Sequence, residues 1–217
     1  LNMRPVALTL GVVIFFAAEL CAETVDRIAV SIGNIGITQS EIEQEHRFER
    51  FMNAQPQSVE PGAAELAAAR DRLLKQTLLT LEAEAEGTDS SGLAQEAGRM
   101  LDQIRKLYPS EMIYRSALAE LGLSEDRIVH KLMVQVRILR VIDQRLRPNA
   151  WVEPSEIKAY YDKSFVPEHK QGHGTPPPLE EVESQIREIL LQHEVDQLLA
   201  EWLKEIESSR RVKLHPS

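Results

Sequence analysis

Two short runs of alternating apolar residues, one near each end of the chain, constrain the fold most. Ile28, Val30 and Ile32 alternate with Arg27, Ala29 and Ser31, the period of a half-buried strand. The glycines of IGNIG supply a tight reversal, and Ile35 to Ile37 return as a short second strand. A hairpin this small does not stand alone in water and needs a third strand from elsewhere. Val212 and Leu214, two apart in RRVKLHPS, have the right spacing to supply it. That pairing would bring the two ends of the chain together and close one composite domain.

The sequence between these ends reads as helix. Thr38 followed by Glu41 fits a capping box that starts a helix running to about Asn53. Pro61 suits the first turn of a helix whose apolar face includes Leu66, Leu73, Leu74, Thr77, Leu78 and Leu81, ending near Gly87. A helix from about Gly92 to Tyr108 is stopped by Pro109, and Ser110 caps a shorter one that ends at Gly122. Ser124 caps a long helix with Ile128, Leu132, Val136, Leu139, Ile142 and Leu146 at helical spacing. Pro154 opens a brief helix to about Lys163. Leu179 to about Ser208 forms the last helix, with Val182, Ile186, Ile189, Leu190, Leu199, Trp202 and Ile206 as its buried positions. The fold class expected is mostly α (α+β): helices with one small sheet built from an N-terminal hairpin and a C-terminal strand.

Composition agrees with this class. Of the 217 residues 43% are hydrophobic and only 5% aromatic, which favours helices over a sandwich of sheets. A formal charge of −9 repels phosphate backbones, so nucleic acid is not an expected partner.

The N-terminus, LNMRPVALTLGVVIFFAAELCAET, has one cation at Arg4, an apolar run from Val6 to Ala18, then small residues ending at Ala22. That order is a secretory signal peptide, residues 1–22, with cleavage expected before Glu23. The run is shorter than the ~20 residues that span a bilayer, so no stable membrane span remains after cleavage; an uncleaved anchor is the alternative. Cys21 is the only cysteine. Leu20, not a small residue, precedes it, which argues against a lipoprotein signal. The processed chain, 23–217, would have no disulfide, thiol nucleophile or cysteine–zinc site.

Between two helical patterns lies SFVPEHKQGHGTPPP, Ser164 to Pro178, which reads as an exposed linker. His169 and His173 stand four apart there. A helix would hold them on one face for a metal, but Gly172 and GTPPP argue for a solvated loop and no third ligand is evident. His130 and His193 fall in helical segments as core or surface residues. His46, within EIEQEHRFER, reads as part of a solvated helix face with charge pairs. The expectation is no catalytic residue, no metal and no cofactor.

The order of segments resembles the chaperone module of the SurA, PpiD and PrsA family of secreted folding factors. VDRIAVSIGNIGITQSEIEQE, LLKQTLLTLEAEAEG, LGLSEDRIVHKLMVQVRILRVIDQRLRPNAWVEPSEIKAYYDK and QIREILLQHEVDQLLAEWLKEIESSRRVKLHP carry the resemblance. It covers the whole chain after the signal. In that family a parvulin-type prolyl isomerase domain is normally inserted after the YYDK element. Residues 164–178 are too few for such a domain. The resemblance therefore implies a periplasmic, ATP-independent chaperone without the isomerase. Its partners would be unfolded exported polypeptides, with outer-membrane protein precursors favoured. The alternatives are an isomerase-family member with residual or no activity, and a dimeric structural or assembly partner.

Adaptable Met and aromatic side chains around a concavity with an acidic rim would suit such a binder. The candidates are Phe48, Phe51 and Met52 at the end of the first helix, Tyr108, Met112 and Tyr114 beside Leu107 and Ile113 at a break between helices, and Tyr160, Tyr161 and Phe165 next to the linker.

Overall fold

The computed structural model describes residues 26–56, 60–87, 90–172 and 174–215. The expected signal peptide and His173 lie outside the described residues.

Strands β1 (Ile28–Ile32) and β2 (Ile35–Thr38) form the antiparallel hairpin. Gly33 takes the left-handed conformation, φ 58°, that this two-residue reversal requires and that a side chain disfavours. β3 (Val212–Leu214) pairs antiparallel with the other side of β1, giving the order β2-β1-β3. The first and last strands among the described residues therefore share one sheet, and the fold class is mostly α with this small sheet.

Thr38 leaves β2 and caps α1 (Gln39–Met52) through the full capping box with Glu41. Asp26 binds the same turn, accepting bonds from the backbone N–H and the hydroxyl of Ser40. Those bonds, the hydroxyl's first, hold the Asp26 carboxyl below the usual carboxylate range. α2 spans Ala63–Ala85 and α3 Leu93–Leu107. Ser110 caps α4 (Glu111–Leu121), which ends in left-handed Gly122, and Ser124 caps α5 (Glu125–Leu146). A 3-10 turn, Arg147–Asn149, leads to α6 (Pro154–Tyr160), and α8 (Leu179–Ser209) carries the chain back to the sheet.

The linker differs from expectation. The helix of Pro154 does not stop near Lys163. It passes through a π turn, Tyr161–Phe165, into α7 (Val166–Gly172). The N–H of Val166 reaches Tyr161, five residues back, and the wider turn is the kind of break found beside a helix proline such as Pro167. Tyr161 and Phe165 stack at 5.7 Å, and Phe165 and His169 at 5.6 Å, so the ring series continues along the helix. Among the described residues of the linker, only Gly174 to Pro178 lie outside regular structure.

Among the described residues, three apolar clusters make up the interior. The first gathers the inward face of the sheet (Val30, Ile32, Ile37) with α2, the C-terminal half of α5 and the C-terminal half of α8. The second gathers Phe48 and Phe51 of α1 with α3, α4 and the N-terminal half of α5. The third, smaller one joins Val152 and Ile157 to Val182 and Ile186 at the start of α8. α5 belongs to two of them, Ile128 and Leu132 in the second and Ile138, Val141 and Leu146 in the first. Its buried stripe shifts along its length, which is why Leu139, expected on the inner face, is 58% exposed.

Two polar residues overturn the reading of α1 as a solvated charged face. Glu45 and His46 are 5% and 4% exposed. Glu45 meets Lys131 at 3.6 Å, and both ring nitrogens of His46 are buried without a hydrogen-bond partner. α1 packs against both α2 and α4, so more of its circumference is enclosed than a surface helix would show.

Candidate functional site

Four of the nine expected contact residues are core. Phe48, Phe51, Tyr108 and Tyr114 are buried in the second cluster. Phe51, Tyr108 and Tyr114 form a triangle of rings with centroids 5.4–5.7 Å apart, Tyr108 and Tyr114 edge to face. Met52 is half-buried against the same cluster. Enclosing so much aromatic area stabilises the α1–α3–α4 junction, and in this conformation it leaves those faces unavailable to a bound chain.

Tyr160, Tyr161 and Phe165 are half-buried against the third cluster. The Tyr161 hydroxyl donates to the carbonyl of Pro177, 2.8 Å away, tying the π turn to the segment before α8. Met112 alone of the nine is largely open, at 80% exposure. Leu107 and Ile113 flank it, both exposed, at the turn between α3 and α4. Ser110 caps α4 and Tyr108 anchors the turn from beneath, so the three apolar side chains stand on a fixed support.

A groove of about 440 Å³ runs between α3 and α5. Met100, Val136 and Leu139 are its apolar lining, and Glu96, Arg99, Gln103, Arg140 and Asp143 its polar lining. Arg140 bonds Glu96 at 3.0 Å and the carbonyl of Ser91 at 2.7 Å, while Asp143 lies 3.8 Å from Arg147. The charged lining is thus mixed in sign, two acidic and two basic residues, where an acidic rim was expected. Helical spacing alone had assigned Leu139 to the interior; the cue against it was the second apolar stripe of Ile138 and Val141 on the same helix. Trp151, 66% exposed between α5 and α6, had no periodic signal to mark it.

Charge near the α3–α4 turn is organised for support. Arg105 donates to Glu111 through Nε at 2.8 Å and Nη2 at 2.5 Å, and Arg115 donates through Nε at 2.7 Å. These bonds, those of Arg105 first, hold the Glu111 carboxyl at about 2. The Arg105 guanidinium also lies 5.0 Å from the Tyr114 ring centre. Burial pushes the Tyr108 hydroxyl up to about 12, and pushes that of Tyr114 up as well.

Among the described residues there is no group of three or more His, Cys, Asp or Glu able to hold a metal ion, and no helix is long and apolar enough to cross a membrane. His169 lies on α7 and not in a loop, stacked on Phe165. His130 and His193 are exposed on α5 and α8. Searched against known protein families and against curated proteins, the chain matches none of them.

Proposed function

We propose that this chain is a SurA-like chaperone module that lacks the prolyl isomerase domain, is exported to the periplasm, and holds unfolded exported polypeptides without nucleotide. The observation that carries this reading is the set of exposed apolar side chains on the helices. Leu107, Met112 and Ile113 stand exposed at the α3–α4 turn, and exposed Leu139 borders the α3–α5 groove beside half-buried Met100. Exposed apolar surface of this kind marks an interaction site, and flexible Met side chains suit partners of varied sequence.

The groove binds by contact area. An apolar side chain of a client that enters it loses water from its own surface and from Leu139 and Met100, with about 25 cal/mol gained per Å². Several such weak contacts hold a client, and its own folding, which buries the same side chains, removes them. Outer-membrane β-barrel precursors, with alternating apolar residues, are the favoured clients. Only six residues of sequence separate the end of α7 at Gly172 from the start of α8 at Leu179, too few for an inserted isomerase.

The test is aggregation of a urea-unfolded outer-membrane β-barrel protein after dilution, followed by light scattering with the processed chain present. An unrelated acidic helical protein is the control. Suppression near stoichiometric ratios is the expected result, and no suppression of this or a soluble unfolded client would rule the reading out.

A further inference from the structure

The sheet offers a second surface with a different chemistry. β3 is an edge strand, paired among the described residues only with β1. Its register sets Val212 opposite Ile32, Lys213 opposite Ser31 and Leu214 opposite Val30. The N–H of His215 donates to the carbonyl of Ala29 at 2.9 Å, which makes that pair a hydrogen-bonded one. Alternation along an antiparallel ladder then assigns the bonds with β1 to Lys213 and His215. The N–H and C=O groups of Val212 and Leu214 point the other way, toward the open edge.

Below this edge the core is incompletely closed. Val212 and Leu214 share the sheet face of buried Val30 and Ile32, yet Leu214 is 57% exposed. With Leu74 and the charged Arg70, Asp71, Lys75 and Glu207 they line a cavity of about 440 Å³ between the edge and α2, in which Arg70 and Asp71 pair with each other at 2.9 Å. Main-chain donors and acceptors beside a recess with an apolar side, here Leu74, Val212 and Leu214, are what an added strand needs: the ladder supplies affinity, and the recess takes one side chain in two.

We infer that β3 accepts an extended client segment as a fourth, antiparallel strand, with an apolar side chain in the recess and an acidic residue opposite Lys213. This rests on the chaperone reading and names a place where a client strand would sit. Charge selects the occupant. A second copy pairing β3 to β3 through Val212 and Leu214 would set Lys213 against Lys213 in the closer, non-hydrogen-bonded position, which is destabilising. Lys75 lines the recess, and Arg211 and Lys213 lie just before and on β3; none of the three has an ion pair among the described residues, and with Arg70 and Asp71 paired to each other only Glu207 at the recess offsets them. A segment bearing a carboxylate at the position facing Lys213 relieves that local excess of positive charge.

The test uses the protein purified as the expressing cell processes it and fluorescein-labelled synthetic peptides of alternating valine and threonine. One has a central glutamate, one a central lysine, and one a central proline. The glutamate peptide is expected to bind about threefold more tightly than the lysine peptide, and the proline peptide more weakly than both. Leu214→Pro removes an outward N–H but none of the bonds to β1, and should weaken the glutamate peptide about fivefold. Leu214→Ala keeps that N–H and separates lost apolar contact from lost pairing. Lys213→Glu, which leaves the edge backbone intact, should reverse the preference between the two charged peptides. Binding that ignores both Leu214→Pro and the central charge would overturn the inference. So would a mass of two chains that falls to one in Leu214→Pro, since a second copy would then occupy the edge. If aggregation suppression persists while the peptides bind indifferently, the edge inference fails and the chaperone reading stands. If wild type suppresses no aggregation, the chaperone reading fails and the peptide series still decides the edge.

Discussion

The hydroxyl of Tyr108 donates to the carbonyl of Phe51 at 2.7 Å, joining the end of α3 to the last turn of α1 across 57 residues of sequence. That bond and the ring triangle around it fix the turn that displays Leu107, Met112 and Ile113. Tyr108→Phe should therefore cost about 1 kcal/mol by losing the bond alone, and Phe51→Ala about 3–5 kcal/mol by leaving a cavity. Urea denaturation of the two variants measures both.

Alkaline pH acts on the same junction. Burial raises the folded Tyr108 above its ordinary value of 10, to about 12, and Tyr114 shifts in the same direction. The neutral phenols are favoured by folding, so this stability is intact below pH 10 and is lost as pH rises toward 12. Ultraviolet titration of wild type against Tyr108→Phe should show the loss of one late-ionising phenol, together with a smaller fall in melting temperature over that window.

Acid acts through Glu111. Its folded carboxyl is depressed from 4.5 to about 2, so its contribution is present above pH 4.5 and fades as pH falls toward 2. Both partners are solvent-exposed, which keeps the effect small and sensitive to salt. Melting temperature measured from pH 5 to pH 2 should fall less steeply in Glu111→Gln than in wild type.

The segment between α7 and α8 should tolerate an insertion that the α3–α4 turn does not. Gly174 and Thr175 are exposed, and the Tyr161 bond to Pro177 lies beyond them. A small independently folded domain placed between Gly174 and Thr175 should change stability by about 1 kcal/mol or less. The same domain placed between Pro109 and Ser110 separates Tyr108 from the α4 cap and should abolish the cooperative melt. Calorimetry of the two insertions distinguishes them.

Much of the fold was legible because its signals are local. Thr38, Ser110 and Ser124 each satisfy the amides of the turn that follows, so α1, α4 and α5 begin where the sequence places them. The β3 pairing was legible for a different reason, since the hairpin needed a third strand and Val212 and Leu214 had the spacing. The site was less so. Phe48, Phe51, Tyr108 and Tyr114 have the composition of a binding surface, but whether a ring is covered depends on α3 and α4 packing across it, a non-local fact. Leu139 and His46 fail in opposite directions for the same reason: the number of neighbours around a helix is not written in its own periodicity. The π turn escaped notice because SFVPEHKQG has the composition of a loop, and only its packing on α8 turns Tyr161 and Phe165 inward.

Exposed apolar residues separate binding from stability. Met112 and Leu139 are largely open, so Met112→Glu and Leu139→Glu should each shift stability by no more than about 0.5 kcal/mol. Both should weaken the hold on an unfolded client, and the double variant more than either alone. Fluorescence anisotropy of a labelled, urea-diluted client against each variant gives the comparison.

The most direct measurement is light scattering of an unfolded outer-membrane β-barrel protein diluted into the processed chain, wild type beside the Met112→Glu, Leu139→Glu double variant. The account predicts suppression near stoichiometric ratios by wild type and much weaker suppression by an equally stable double variant. Aggregation that proceeds as fast with wild type as with an unrelated acidic helical protein would contradict it.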